Sequence, residues 1–158
     1  MNKKLITASL ILALTLGFNC KKEEDNDDET LALLLLAASQ SGGGCTISSA
    51  GATASLASNT ASTTVTPVAV TTTGNISLGA VIARGLTAGQ KVVFTNIGTS
   101  IPGVFRKSEC NINLSTDSNA GASNITSANA GGTTTFTVVT AGDYIFTVSV
   151  TGASVQIQ

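Results

Sequence analysis

The sequence predicts an all-β domain, an antiparallel sandwich or jelly roll over residues 45–158, and three observations carry the prediction. From Thr46 onward Val, Ile and Thr dominate, with Gly and Asn as punctuation, which is the composition of strands. Near the C-terminus apolar and polar residues alternate with a period of two, as half-buried strands require. Turn residues recur at short spacing with no helical period between them, the pattern of sandwiches rather than of helix-containing sheets.

Three segments of other character precede that domain. Lys3 and Lys4 introduce an apolar run from Leu5 to Leu16, followed by Gly17, Phe18, Asn19 and Cys20. A charged start, a short apolar core and small residues before a cut describe a secretory signal peptide over residues 1–19. A cysteine at the cut describes lipidation, with the mature chain starting at an acylated Cys20. Cleavage after Gly17 without lipid is the competing reading, with Thr15 and Gly17 as the small residues. The apolar run falls short of the roughly 20 residues a spanning helix needs. One acyl chain binds a membrane marginally and two or more hold firmly, so a multiply acylated Cys20 needs no transmembrane helix.

Residues 20–29 read as a charged tether: after Lys21 and Lys22, six of the nine acids of the chain (Glu23, Glu24, Asp25, Asp27, Asp28, Glu29) crowd into one run with too little apolar content to fold. Residues 30–44 read as a short apolar helix and hinge. Thr30 serves as N-cap, Leu31 to Ala38 has high helix propensity, and Gly42 to Gly44 terminates it. Such a helix is apolar all round and must be covered by the domain, a partner or the membrane surface.

Within the domain the expected strands are Val65 to Thr73, Asn75 to Ala83, Gln90 to Asn96, Gly103 to Lys107 and Asn111 to Leu114. Gly74, Gly85, Gly89, Gly98 and Pro102 separate them. Pro67 assigns the first to a sheet edge. Thr133 to Thr140, Tyr144 to Thr151 and Ala153 to Gln158 complete the set, joined by Ala141-Gly142-Asp143 and Gly152 into an expected three-stranded meander. Phe94, Phe105, Phe136, Tyr144 and Phe146 are read as core rather than as sugar-stacking platforms. Ser48 to Thr64 and Ser115 to Gly132 are low in complexity. The second is expected to be a long loop, either a connection or a recognition element.

With Cys20 assigned to lipid, Cys45 and Cys110 form an even pair in an exported chain, which favours one disulfide. The functional exclusions are broad. The chain has no His and no Trp, so a Ser-His-Asp or Cys-His arrangement and His-ligated zinc are unavailable. Glu109, Asp117 and Asp143 are the acids available beyond Cys45 for paired-carboxylate chemistry, and they read as solvated turn residues. Asp117-Ser118-Asn119-Ala120-Gly121 fails the calcium-loop pattern, because Ala122 and Ala128 stand where Gly and Glu are needed. The near-neutral domain has no basic stripe for nucleic acid, and no glycine loop is placed to hold phosphate. No catalytic, cofactor or metal residue is expected, and no small-molecule substrate.

Two resemblances bear on these residues. Phe136 to Phe146, with its strand, Gly turn and strand, resembles units of C1q-like jelly rolls and of Ig-like or pre-peptidase C-terminal sandwiches. The order of Cys20, a charged run, Leu31 to Ala38 and a Thr/Ser/Gly-rich β domain resembles small leptospiral lipoproteins, and the loose residues before Cys20 are similar to spirochaete lipoprotein signals. That resemblance implies a cell-envelope protein held by lipid, in an outer membrane. The expected role is non-enzymatic, structural or protein-binding. The alternatives are a surface adhesin for host proteins and an accessory subunit of an envelope complex.

Overall fold

The computed structural model describes residues 44–158 apart from residue 74. The expected signal peptide (1–19), Cys20, the charged tether (20–29) and the apolar helix with most of its glycine hinge (30–43) lie outside the described residues. The described chain is all-β. It forms twelve strands: β1 (Cys45–Ser49), β2 (Ala52–Thr60), β3 (Thr66–Pro67), β4 (Thr71–Thr73), β5 (Ile76–Leu86), β6 (Lys91–Thr95), β7 (Gly103–Arg106), β8 (Asn111–Asn113), β9 (Ile125–Ala130), β10 (Thr133–Val138), β11 (Gly142–Val148) and β12 (Ser154–Ile157).

These strands make two sheets. The larger runs β7-β11-β5-β2-β1-β8, with β4 also paired to β5; the smaller runs β3-β12-β6-β10-β9. One face of the larger sheet packs on the smaller through a core that includes Val81, Val104, Tyr144 and Phe146 from one side and Val92, Phe94, Phe136, Val138 and Val155 from the other. Phe146 sits at its centre, its ring centroid 5.2 Å from that of Phe94 and 5.1 Å from that of Phe136. All five aromatics of the domain are buried, as the sequence predicts.

The opposite face of the larger sheet has a core of its own, formed by Cys45, Ile47, Ala54, Leu56, Ala80, Phe105, Ile112 and Ile145. Every one of these residues lies on the larger sheet or on its strand ends, so the sheet must curl around them. The chain requires the same curl. β7 and β8 are the two ends of the strand order, yet only residues 107–110 join them. Five flat strand spacings of about 4.8 Å would separate the two edges by more than that link can span. Curling also explains why Ala80 and Val81, and likewise Ile145 and Phe146, are adjacent yet fully buried: their strands have a core on each side.

Three expectations need correction. The sheets are not wholly antiparallel, since β1 pairs β8 and β2 pairs β5 in parallel. The C-terminal strands do not form a meander. β10 and β12 flank β6 in the smaller sheet, while β11 lies between β5 and β7 in the larger. Their connections arch across the core because Phe136 and Phe146 must face each other rather than lie side by side. The low-complexity segments are also more ordered than their composition indicates. Ser48 to Thr64 contains β2, whose Ala54 and Leu56 suffice for the narrow interior of the curl, and Ser115 to Gly132 contains β9, hairpinned to β10 through Gly131 and Gly132. Both glycines have positive φ, 57° and 77°, which a two-residue hairpin of the primed type demands.

β1 has no counterpart among the expected strands, and the remaining strands fall close to their expected positions. The Val65 to Thr73 segment divides into β3 and β4, and Pro67 does lie on the edge strand of the smaller sheet.

Candidate functional site

The disulfide is the first site feature the structure places. Cys45 and Cys110 are bonded, with Cα atoms 4.7 Å apart. Cys45 opens β1 and Cys110 immediately precedes β8, and Thr46 N–H donates to the Cys110 carbonyl at 2.8 Å. The bond fastens β1 to its neighbour, the edge strand β8, where the short link from β7 arrives, and so reinforces a junction of only three parallel residue pairs.

Each acid of the domain is engaged in local structure. Asp143 is the second residue of β11, not a turn residue as the sequence indicates. It accepts from Gly85 N–H at 2.7 Å and faces Arg84 at 3.5 Å. Glu109 accepts from the Asn111 amide at 3.2 Å. Asp117 accepts from Asn113 N–H at 2.9 Å and pairs with Lys107 at 2.5 Å. The Asn113 backbone donor, then the Lys107 side chain, hold the Asp117 carboxyl below its ordinary range against a smaller opposing effect of desolvation. Among the described residues no group of three His, Cys, Asp or Glu is placed to hold a metal ion.

Two cavities stand out. One, of about 210 Å³, lies at the charged end beside Arg106, Lys107, Ser108, Gly142 and Asp143. Its cations are already committed: Arg106 donates to the Ala141 carbonyl at 3.0 Å, and Lys107 to Asp117. The other is larger, about 300 Å³, and opens between the sheets at the side where β7 and β9 are the outer strands. Phe136, Val104, Ile125, Ala120, Ile101 and Pro102 give it apolar walls, and Ser127 and Asn119 supply polar groups.

The second cleft has a clear structural origin. Ile125, Ser127 and Asn129 lie on one face of β9, and Asn129 reaches the buried Thr134 hydroxyl at 2.8 Å. Past Ile125 every residue of β9 is exposed, on both faces. The strand therefore overhangs the opposing sheet, and the cleft is the space beneath it. Opposite β9, Asn119 and Ala120 line the outer edge of β7, with Val104 N–H donating to the Asn119 side chain at 3.2 Å and Ala120 N–H to the Val104 carbonyl at 2.7 Å. Ile101 on the rim is 59% exposed, an apolar side chain without a covering partner.

A further clamp fixes the base of the cleft. The Tyr144 hydroxyl donates toward the carbonyls of Asn124, at 2.9 Å, and Thr140, at 2.5 Å. It ties the start of β9 to the β10–β11 connection.

No family model matches this sequence, and neither a curated protein nor a solved structure matches it. Of the site residues legible in the sequence, Cys45 and Cys110 are brought together and Cys20 lies outside the described residues. The cleft was not legible, because it is assembled from the segment before β7, the loop after β8 and strand β9. The available signal was the apolar pair Ile101-Pro102 placed against a low-complexity segment that was suspected of recognition.

Proposed function

We propose that this chain is a membrane-anchored envelope lipoprotein of the spirochaete type, held through acylated Cys20, whose β-sandwich domain of jelly-roll or Ig-like kind binds another protein and performs no chemistry. The observation that carries the binding role is the cleft between the sheet edges. Its walls are apolar with two polar groups, the composition of a recognition site, and no titratable side chain lines it. Its exposed rim residue Ile101 supports the same reading. The charged pairs lie elsewhere and serve strand ends and turns, which supports a non-enzymatic role. The anchoring role rests on Leu5 to Leu16 followed by Cys20. The charged tether between anchor and domain would hold the cleft clear of the membrane surface.

Protease shaving of intact cells, combined with chemical crosslinking in place, tests this reading. Membrane-associated chain with discrete crosslinked adducts supports it. Loss of the domain from intact cells directs the search to host or environmental proteins, as an adhesin requires. Protection until lysis directs it to an accessory or structural role inside the envelope. Full-length chain in the soluble fraction without adducts overturns it.

A further inference from the structure

The two sheets expose their edge strands very differently, and the difference points to one place. β3 carries Pro67, which cannot donate to a further strand. β4 has only three residues. The outer edge of β7 is occupied by Asn119 and Ala120. The outer edge of β8 is occupied by a charge pair: Lys107 donates to the Asn111 carbonyl, and Asp117 receives Asn113 N–H on its side chain while its own N–H donates to the Asn113 carbonyl at 2.6 Å. Proline, short strands, covering loops and charges are the means by which proteins keep sheet edges from pairing with other chains. β9 has none of them. It is six residues long, Ile-Thr-Ser-Ala-Asn-Ala, with no charge and no proline.

Its open hydrogen-bonding groups can be identified. Val139 N–H donates to the Asn124 carbonyl at 2.9 Å, while Val138 turns its N–H and carbonyl the other way, to Gln90 and Gly89. The Val138 and Ile125 pair is therefore not hydrogen-bonded, and alternation along an antiparallel ladder makes Ser127 and Asn129 face outward as well. Ser127 and Asn129 thus present backbone donors and acceptors to solvent, directly beside the cleft that Ser127 and Ile125 line.

We propose that β9 is a strand-addition site: an extended, uncharged segment of another protein pairs with Ser127 and Asn129 and inserts one apolar side chain into the cleft over Phe136. This deepens the protein-binding reading given above and rests on it. The exposed main-chain groups select an extended backbone, and the neighbouring cleft selects an alternate side chain. The lack of charge on the edge and in the cleft walls fixes the chemistry of that side chain, because an inserted ion would lose its hydration with no counter-charge to replace it.

The test uses the full detergent-solubilised chain and capped heptapeptides of sequence Thr-Val-Thr-X-Thr-Val-Thr, with X as Gly, Ala, Leu, Phe or Asp, read by amide NMR and titration. The chosen variant is Ser127→Pro. Its proline removes an N–H that no strand of the fold uses, so the fold should survive, which the unperturbed amides of β6 and β11 would verify. Expected are saturable binding with shifts at Ser127 and Asn129, at least about tenfold tighter for Leu or Phe than for Gly or Asp, and a loss of at least about tenfold in Ser127→Pro. Ala128→Lys, which leaves every backbone group in place and adds a charge to the edge, should weaken binding in the same direction should the proline variant prove misfolded. The proposal is overturned by peptides that fail to bind at millimolar concentration, by binding indifferent to X or to these substitutions, or by self-association through β9 that excludes the peptides, which would make a second copy the occupant. Crosslinked adducts in cells that persist unchanged in Ser127→Pro would remove β9 as the site while leaving the protein-binding reading intact.

Discussion

Replacing both Cys45 and Cys110 by Ala should cost this domain much of its stability, because the bond closes a long loop around a weakly paired junction. The two residues are 65 apart in sequence. Closing a loop of that length removes about 4 kcal/mol of denatured-state entropy on the chain-entropy account. Little in the folded state compensates, since β1 and β8 share only three parallel residue pairs. Against a typical total of about 5–15 kcal/mol, the loss leaves a marginal fold. Near 4 °C per kcal/mol for a domain of this size, the melting temperature should fall on the order of 15 °C. Guanidinium unfolding of oxidised wild type, wild type with dithiothreitol and the double variant would measure it. The reduced and substituted forms should coincide and show a steeper denaturant dependence, as their unfolded chains expose more surface. A loss under about 1 kcal/mol with an unchanged slope would refute the reasoning and show that the β1–β8 junction holds without its staple.

Other substitutions probe separate parts of the account. Gly79→Ala should destabilise by more than about 2 kcal/mol in thermal unfolding, because a Cβ there collides with the Ala69 backbone carbonyl, which cannot swing aside as a side chain would. Tyr144→Phe should cost about 1–3 kcal/mol in unfolding free energy, since the part-buried Thr140 carbonyl loses its hydroxyl donor with no change of shape in the core, while the Asn124 carbonyl keeps Val139 N–H and Thr140 N–H. Asp117 gives a pH signature. Its folded pKa lies below the unfolded value, so its stabilisation is fully present above the ordinary carboxylate range and is lost as pH falls through the depressed folded value. Stability profiles of wild type and Asp117→Asn should therefore converge at acid pH and diverge toward neutral pH; parallel profiles would contradict the assignment.

How much of this was legible in the sequence depended on side-chain size. β10 and β11 stood out because Phe136, Val138, Phe146 and Val148 are large and alternate with polar residues, and in β10 a one-residue slip would turn Phe136 and Val138 out of the core. β2 was hidden because the inside of a tight curl admits small residues, so Ala54 does there what Val or Ile does elsewhere. β9 was hidden for the opposite reason: past Ile125 it has nothing to bury, and its pairing with β10 rests on backbone bonds and the Gly131-Gly132 turn. The parallel pairs and the cleft depend on which distant segments meet, and no local pattern reports that. The disulfide was legible because two cysteines remained once Cys20 was assigned to lipid.

The proposed lipid on Cys20 is the premise from which envelope placement, tether and display of the cleft all follow. Mass spectrometry of the N-terminal peptide from membrane-purified chain measures it directly. The account predicts a peptide beginning at Cys20 and carrying two or three acyl chains, with Cys20→Ala chain released from the membrane. An N-terminus at Phe18, or an unmodified Cys20 in a chain that remains membrane-bound, would contradict it.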